Sequence, residues 1–151
     1  MADTFSRAQR SAVMARIKSR DTGPEKAVRS MLHRLGYRFR LHRKDLPGTP
    51  DIVLPSRAAV IFVHGCFWHR HGGCKLAKLP SANPDFWRKK LDGNVDRDRK
   101  AVEALILLGW RVLTVWECAI KEHELPEFGR LISGWIEESA RCGEIPKLIP
   151  D

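Results

Sequence analysis

Two hydrophobic periods alternate along this chain. Ala27, Val28, Met31, Leu32 and Leu35 fall three or four residues apart, on one face of a helix. Asp21-Thr22-Gly23-Pro24 ahead of them is a helix start, with Pro24 at the first helical position, and Gly36 is a stop. From residue 37 to 43 the period shortens to two. Tyr37, Phe39 and Leu41 point one way and Arg38, Arg40 and His42 the other, which predicts a half-buried strand. Residues 45–50 form a turn around Pro47-Gly48. Two short apolar runs, 51–54 and 58–63, predict strands joined as a hairpin through Pro55-Ser56-Arg57. Residues 84–91 read as a short helix and 95–108 as a longer one, closed by Gly109. Residues 110–116 predict a buried strand and 125–139 a last helix, with a polar tail around Cys142. A helix between strands favours a right-handed crossover and parallel pairing. The order predicts a small α/β sandwich.

Composition adds a size and a place. At 151 residues, 43% hydrophobic and 30% charged, one globular domain spanning 1–151 with its own core is expected. No apolar run is long enough for a membrane-spanning helix. Met1-Ala2-Asp3-Thr4 lacks the apolar region of a signal peptide, so a cytosolic protein is expected. In that compartment, four cysteines point to metal or catalysis, or stay free, rather than form disulfides.

Charge narrows the partner. The net charge is +9, and residues 1–43 hold 11 lysines and arginines against three acidic residues, a net of +8. A polyanion, nucleic acid first, is the natural partner. Residues 1–20 read as a basic arm. Val13, Met14 and Ile17 make a narrow apolar stripe among Arg7, Arg10, Arg16 and Lys18, suited to ordering on a partner or to a surface helix with a small packing face.

Candidate chemistry gathers after the strand at 58–63. Cys66, His71 and Cys74 share one loop, and Cys118, just past the strand at 110–116, can supply a fourth ligand. Soft thiolates with an imidazole suit a closed, structural zinc site. His69 competes with His71 for that role. Asp51 opens a strand and Glu25 sits on the first turn of a helix. Two carboxylates and a basic face are what metal-assisted phosphodiester hydrolysis requires, with Mg²⁺ the ion that hard oxygen ligands select. His64 and His69 are candidate bases or phosphate partners. Phe67, Trp68 and Trp87, among cations, are candidates to stack on or wedge between bases. Phe86 is expected in the core.

The runs Gly48-Thr49-Pro50-Asp51-Ile52-Val53, His64-Gly65-Cys66-Phe67-Trp68-His69-Arg70-His71, Asn94-Val95-Asp96-Arg97-Asp98, and Gly109-Trp110-Arg111-Val112-Leu113 with Trp116-Glu117-Cys118 resemble the very-short-patch mismatch-repair endonucleases. The likeness covers nearly the whole chain to about residue 120. It implies a bacterial, cytoplasmic, nucleoid-associated enzyme related to the PD-(D/E)xK nucleases, with a restriction-endonuclease-like three-layer sandwich around a mixed sheet. It implies nicking of one strand of duplex DNA 5′ to the thymine of a T·G mismatch, the product of 5-methylcytosine deamination. Carried over, Asp51 and the Val63 carbonyl bind Mg²⁺, His69 is the general base, and His64 and Glu25 support the metal-water shell. Cys66, His71, Cys74 and Cys118 hold zinc. Phe67, Trp68 and Trp87 enter the DNA, Met14 and Ile17 approach the other groove, and Lys90 and Asn94 face the mismatched pair. Apart from the resemblance, the basic charge of the arm makes Arg7 and Arg16 candidate phosphate contacts. A monomer is expected, with a paired cytosine-5 methyltransferase and other mismatch-repair proteins as partners. The chain departs from the superfamily signature: Ile61-Phe62-Val63 stands where (D/E)xK belongs, and some relatives have Thr at position 63. The usual lysine base is therefore missing. The rival readings are a restriction-type endonuclease and a non-catalytic zinc DNA-binding module.

Overall fold

The structure is a computed structural model that describes residues 22–146. Five strands, β1 (Arg40–Leu41), β2 (Ile52–Leu54), β3 (Ala59–His64), β4 (Arg111–Trp116) and β5 (Cys142–Ile145), lie in one sheet in that order. The first three pair antiparallel, whereas β3 with β4 and β4 with β5 are parallel. The helices are α1 (Gly23–Arg34), α2 (Pro84–Leu107), α3 (Glu117–Glu122) and α4 (Leu125–Glu137).

Side-chain alternation sorts the core into two layers. Ile61 and Leu113 face one side, where Val28 and Leu32 of α1 and Phe128 and Ile132 of α4 cover them. Val60, Phe62 and Val112 face the other, under Leu105 of α2. The central strand β3 is buried along its whole length, as a strand with helices on both faces must be. The mixed sheet, the 55–57 hairpin connection and the parallel crossover through α2 agree with the pattern in the sequence. Among the described residues no helix is long and apolar enough to cross a membrane.

Five expectations need correction. The strand at 37–43 shrinks to Arg40–Leu41, because β2 offers it only a short edge and the backbone turns left-handed at His42, φ +46°. Tyr37 and Phe39 still pack on the core, but Leu41 is 41% exposed and His42 is turned inward. The two helices at 84–91 and 95–108 are one, α2, running through Asp92-Gly93-Asn94. One interior glycine costs about 1 kcal/mol, less than the buried anchors Trp87, Leu91 and Leu105 return. A further short helix, α3, follows Trp116 directly. The tail around Cys142 is β5, whose single buried apolar residue, Ile145, gave no period. Arg111 secures it. Its guanidinium lies over the Trp135 ring and donates to the Ile136, Glu138, Trp135 and Ala140 carbonyls at the end of α4, just before β5. Last, Phe86 is 56% exposed and its neighbour Trp87 takes the buried place.

Candidate active site and metal centre

Everything chemical sits where β3 and β4 end. Cys66, His71 and Cys74 come from the loop after β3, and Cys118 from the first turn of α3 after β4, with all four ligand atoms within 4.8 Å of one another. His71 Nδ1 lies 3.6 Å from Cys66 Sγ and 3.4 Å from Cys118 Sγ. A tetrahedral ion with metal–sulfur bonds of 2.3 Å and metal–nitrogen bonds near 2.05 Å separates such atoms by about 3.6 Å. The Cys118 amide donates to Cys66 Sγ at 3.4 Å. Burial pushes the Cys66 thiol up and takes Cys118 up to about 12, so without a cation these sulfurs resist ionising together. Three thiolates and an imidazole around one soft cation resolve that conflict, and the donor set fits a metal.

The second cluster draws on three separate segments. Glu25, 2% exposed, comes from the first turn of α1, which Thr22 caps by accepting the Glu25 amide at 3.3 Å. Asp51 precedes β2, and its Oδ2 accepts the Val63 amide at 2.7 Å. His42 Nε2 lies 3.2 Å from Glu25 Oε2 and 3.9 Å from Asp51 Oδ1. Arg29 Nη2 donates to the same Glu25 oxygen at 3.0 Å. Burial pushes the Asp51 carboxyl up to about 6. The Val63 amide opposes the rise, the charge of Glu25 adds to it, and the imidazoles of His42 and His69 oppose it again.

Beside this lies a histidine pair. His64 and His69 stack with ring centroids 3.8 Å apart and planes 3° from parallel. His69 Nδ1 is 2.6 Å from Asp98 Oδ2. An ionised Asp98 accepts a proton carried on Nδ1, and in the neutral ring that tautomer has its lone pair on Nε2. His64 is held down to about 3 by burial first and by His69 second, so it stays neutral near pH 7. Its Nδ1 is buried with no hydrogen-bond partner among the described residues. Trp116 joins the centres: its ring stacks on His71 at 4.2 Å and meets His64 edge-on at 5.2 Å.

Phe67, Trp68 and Trp87 form a T-shaped cluster, with centroid distances of 5.0, 5.5 and 6.1 Å. Phe67 and Trp68 are half-buried, and Trp87 is buried behind them. Asn94 Nδ2 donates to the Trp68 carbonyl at 2.9 Å, Arg97 donates to Asn94, and Arg70 pairs with Asp92. Lys90 is exposed on the same helix.

Comparison with known proteins decides the lineage. Residues 2–75 match the family described as DNA mismatch endonuclease Vsr. The chain is 54% identical over 122 residues to the type II nicking enzyme V.XorIIP of Xanthomonas oryzae pv. oryzae, covering 81% of this chain and 89% of that one. The chain belongs to the DNA mismatch endonuclease Vsr family. It is 48% identical over 124 residues to the DNA mismatch endonuclease Vsr of Escherichia coli K12, covering 82% of this chain and 79% of that one. To the type II nicking enzyme V.NmeAIP of Neisseria meningitidis it is 43% identical over 125 residues, with 83% and 89% covered.

Against this Vsr-family background, the structure brings Cys66, His71, Cys74 and Cys118 together and sets His69 apart, on Asp98. It joins Glu25 to Asp51, and it puts Val63 in contact with Asp51 through its amide. Arg7, Met14, Arg16 and Ile17 lie outside the described residues. Two residues escaped sequence reasoning. Asp98 carried a signal: the inward face of α2 runs Trp87, Leu91, Asn94, Asp98, Ala101, Leu105, and polar residues at its two middle positions break an otherwise apolar stripe. His42 carried none, since strict alternation placed it outward.

Proposed function

We propose that this chain nicks one strand of duplex DNA 5′ to the thymine of a T·G mismatch and so opens very-short-patch repair. One observation carries the reading: at the end of β3 a buried and a half-buried carboxylate, a carboxylate-held histidine and a loop of aromatic rings meet. Family membership supports it, and two relatives carry "nicking" in their names, which favours single-strand cleavage over a restriction-type double-strand cut. The fold is then a restriction-endonuclease-like three-layer sandwich.

Asp51 and the Val63 carbonyl would hold Mg²⁺, with Glu25 and His64 on its water shell. Val63 presents its amide to Asp51, and an extended residue offers its carbonyl to the same neighbour. Valine serves there as well as threonine, because a main-chain oxygen is indifferent to the side chain. The chemistry such an ion would supply is neutralisation of charge on the scissile phosphate and the leaving oxygen. His69 Nε2, its lone pair freed by Asp98, takes the proton of the attacking water. His64, neutral, brings no positive charge to the cation site. Cys66, His71, Cys74 and Cys118 would hold structural Zn²⁺, fixing the loop that carries Phe67, Trp68 and His69.

The rings report the defect. Opening a base step costs a few kcal/mol, least at a mismatch, and each inserted ring returns about 1–3 kcal/mol. Phe67 and Trp68 lead, and Trp87 backs them. Lys90 and Asn94 address the wobble pair, Met14 and Ile17 the other groove, and Arg7 and Arg16 the phosphates, blind to sequence. A paired cytosine-5 methyltransferase and other mismatch-repair proteins complete the setting, with the chain acting as a monomer in the bacterial cytoplasm. The test is a nicking assay on T·G, other mismatched and matched duplexes with Mg²⁺ or EDTA. Mg²⁺-dependent, single-strand cleavage confined to T·G is expected. Binding without cleavage would leave a zinc DNA-binding module instead.

A further inference from the structure

His42 belongs to no part of the chemistry so far, yet the fold goes out of its way to place it. Its backbone amide donates to the Asp51 carbonyl at 3.3 Å, extending the β1–β2 ladder by one step and fixing it opposite Asp51. There the backbone turns left-handed, φ +46°, a conformation that residues other than glycine adopt at a cost. The turn swings the imidazole inward from where strand alternation would put it. The next residue is anchored: Arg43 pairs with Asp45 and lies over the Trp110 ring.

What the imidazole meets is a set of acceptors. Nε2 faces Glu25 Oε2 at 3.2 Å and Asp51 Oδ1 at 3.9 Å. Arg29 Nη2, which can only donate, lies 3.5 Å from the same nitrogen. Two carboxylates facing Nε2 call for a proton there in the metal-free chain, and a cation seated among the three groups would replace that proton, leaving the lone pair on Nε2 and a proton on Nδ1. Three lone-pair atoms, from Glu25, His42 and Asp51, then converge within 4.8 Å. An octahedral ion with bonds near 2.1 Å separates neighbouring donors by about 3.0 Å and opposite ones by about 4.2 Å. The 3.2 and 3.9 Å separations from His42 Nε2 lie between those two values.

We propose that His42 joins Asp51 as a second side-chain ligand of the cation site, beside Glu25, and that its nitrogen tilts this enzyme's metal preference toward Mn²⁺. The inference rests on the reading that this cluster holds the catalytic cation. Carboxylates and carbonyls suit Mg²⁺ and Mn²⁺ alike, but an imidazole nitrogen favours first-row transition ions over Mg²⁺. This site would therefore bind Mn²⁺ more tightly, relative to Mg²⁺, than an all-oxygen site does.

The test uses the full zinc-loaded chain without DNA, with Mn²⁺ as the probe. Electron spin-echo spectroscopy of bound Mn²⁺ should show nitrogen modulation, and His42→Ala should abolish it. Free Mn²⁺, counted by its EPR signal, should show at least about tenfold weaker binding in His42→Ala, with Mg²⁺, measured by competition, weakened less. His42→Gln, which keeps an oxygen donor, should recover Mg²⁺ binding but not the Mn²⁺ preference. Zinc content and melting temperature of each variant confirm the fold. Nitrogen modulation that is absent from the native chain, or that survives His42→Ala, overturns the proposal, as do equal losses for both ions. Asp51→Asn separates the two levels. If it leaves Mn²⁺ binding intact, the cluster is not the cation site and the reading beneath fails. If it removes binding while His42→Ala changes nothing, only the role of His42 fails.

Discussion

The thiol cluster and the carboxylate cluster lie at the same end of the sheet but are put together differently. Cys66, His71 and Cys74 share one loop, and Cys118 joins them from the first turn after β4. Glu25, His42 and Asp51 come from a helix, a strand edge and a turn, and each is also held by a neighbour: Arg29, the Asp51 carbonyl and the Val63 amide. The first cluster would be held together by the metal it is proposed to bind. The second is built by the fold beforehand, at the cost of a buried carboxylate and a left-handed histidine. The difference teaches which losses should unfold the chain and which should only silence it.

Removing a cysteine is the largest expected effect. Structural zinc contributes roughly 10–16 kcal/mol of apparent binding free energy in small domains, so Cys118→Ser should lose metal and fold together. Cys142→Ser, at the exposed start of β5, should lose neither. Elemental analysis and circular dichroism decide, and a folded, metal-free Cys118 variant would erase the contrast. Asp51→Asn should do the reverse. Nicking should fall by about 10⁴-fold, the several kcal/mol that a positioned metal supplies. Its melting temperature should hold or rise, because a carboxyl that burial pushes to about 6 burdens the metal-free fold near neutrality. His69→Ala should cut the single-turnover rate by about 10²–10⁴-fold with zinc retained. If that variant loses zinc while His71→Ala keeps it, the two histidines have exchanged roles.

Acidification sharpens the same comparison. A proton and a metal compete for Asp51, so divalent-ion affinity should drop about tenfold for each pH unit below 6. Stability is the wrong gauge. The raised Asp51 carboxyl costs stability as pH climbs from about 4 to 6, whereas the depressed His64 costs it as pH falls from about 6.5 toward 3. The two slopes oppose each other across the shared window. Titrating Mn²⁺ binding at fixed salt isolates the carboxylate. The smallest expected effect belongs to the wedge: Trp68→Ala should lose about 1–3 kcal/mol on T·G duplex and much less on matched duplex. Equal losses on both would make the ring a packing residue.

Legibility in the sequence followed the same divide. Thiols and imidazole in one loop announce themselves by spacing, as did the hairpin and the parallel strand at 111–116. The carboxylate cluster depends on which distant segments the sheet brings together, and spacing does not carry that. Asp51 and Glu25 were nominated as a metal-binding pair by residue type and by their places at a strand and a helix start, a weak signal that the resemblance turned into separate roles. His42 was hidden because a period of two assumes extended backbone, and a single left-handed residue ends that assumption. Asp98 was visible in principle as a polar break in the apolar stripe of α2, but treating residues 84–108 as two helices erased the stripe. The edge strand β5 was lost for the opposite reason: it is held by Arg111 and by Gly143 against the Trp135 ring, not by an apolar pattern of its own.

Trp116 gives the two clusters a shared optical voice. Its indole lies flat on His71 and edge-on to His64, so one chromophore touches a member of the thiol cluster and a histidine of the proposed catalytic end. The chain has five tryptophans, and phenylalanine at 68, 87, 110 and 135 would leave this one to emit alone. An excited indole is sensitive to the charge and electron density of an imidazole packed against it. Loading the thiol cluster should therefore change its lifetime in one step, and events around His64 in another. The fold thus carries an intrinsic fluorophore placed to time the order in which the two proposed metals would arrive, with no label added.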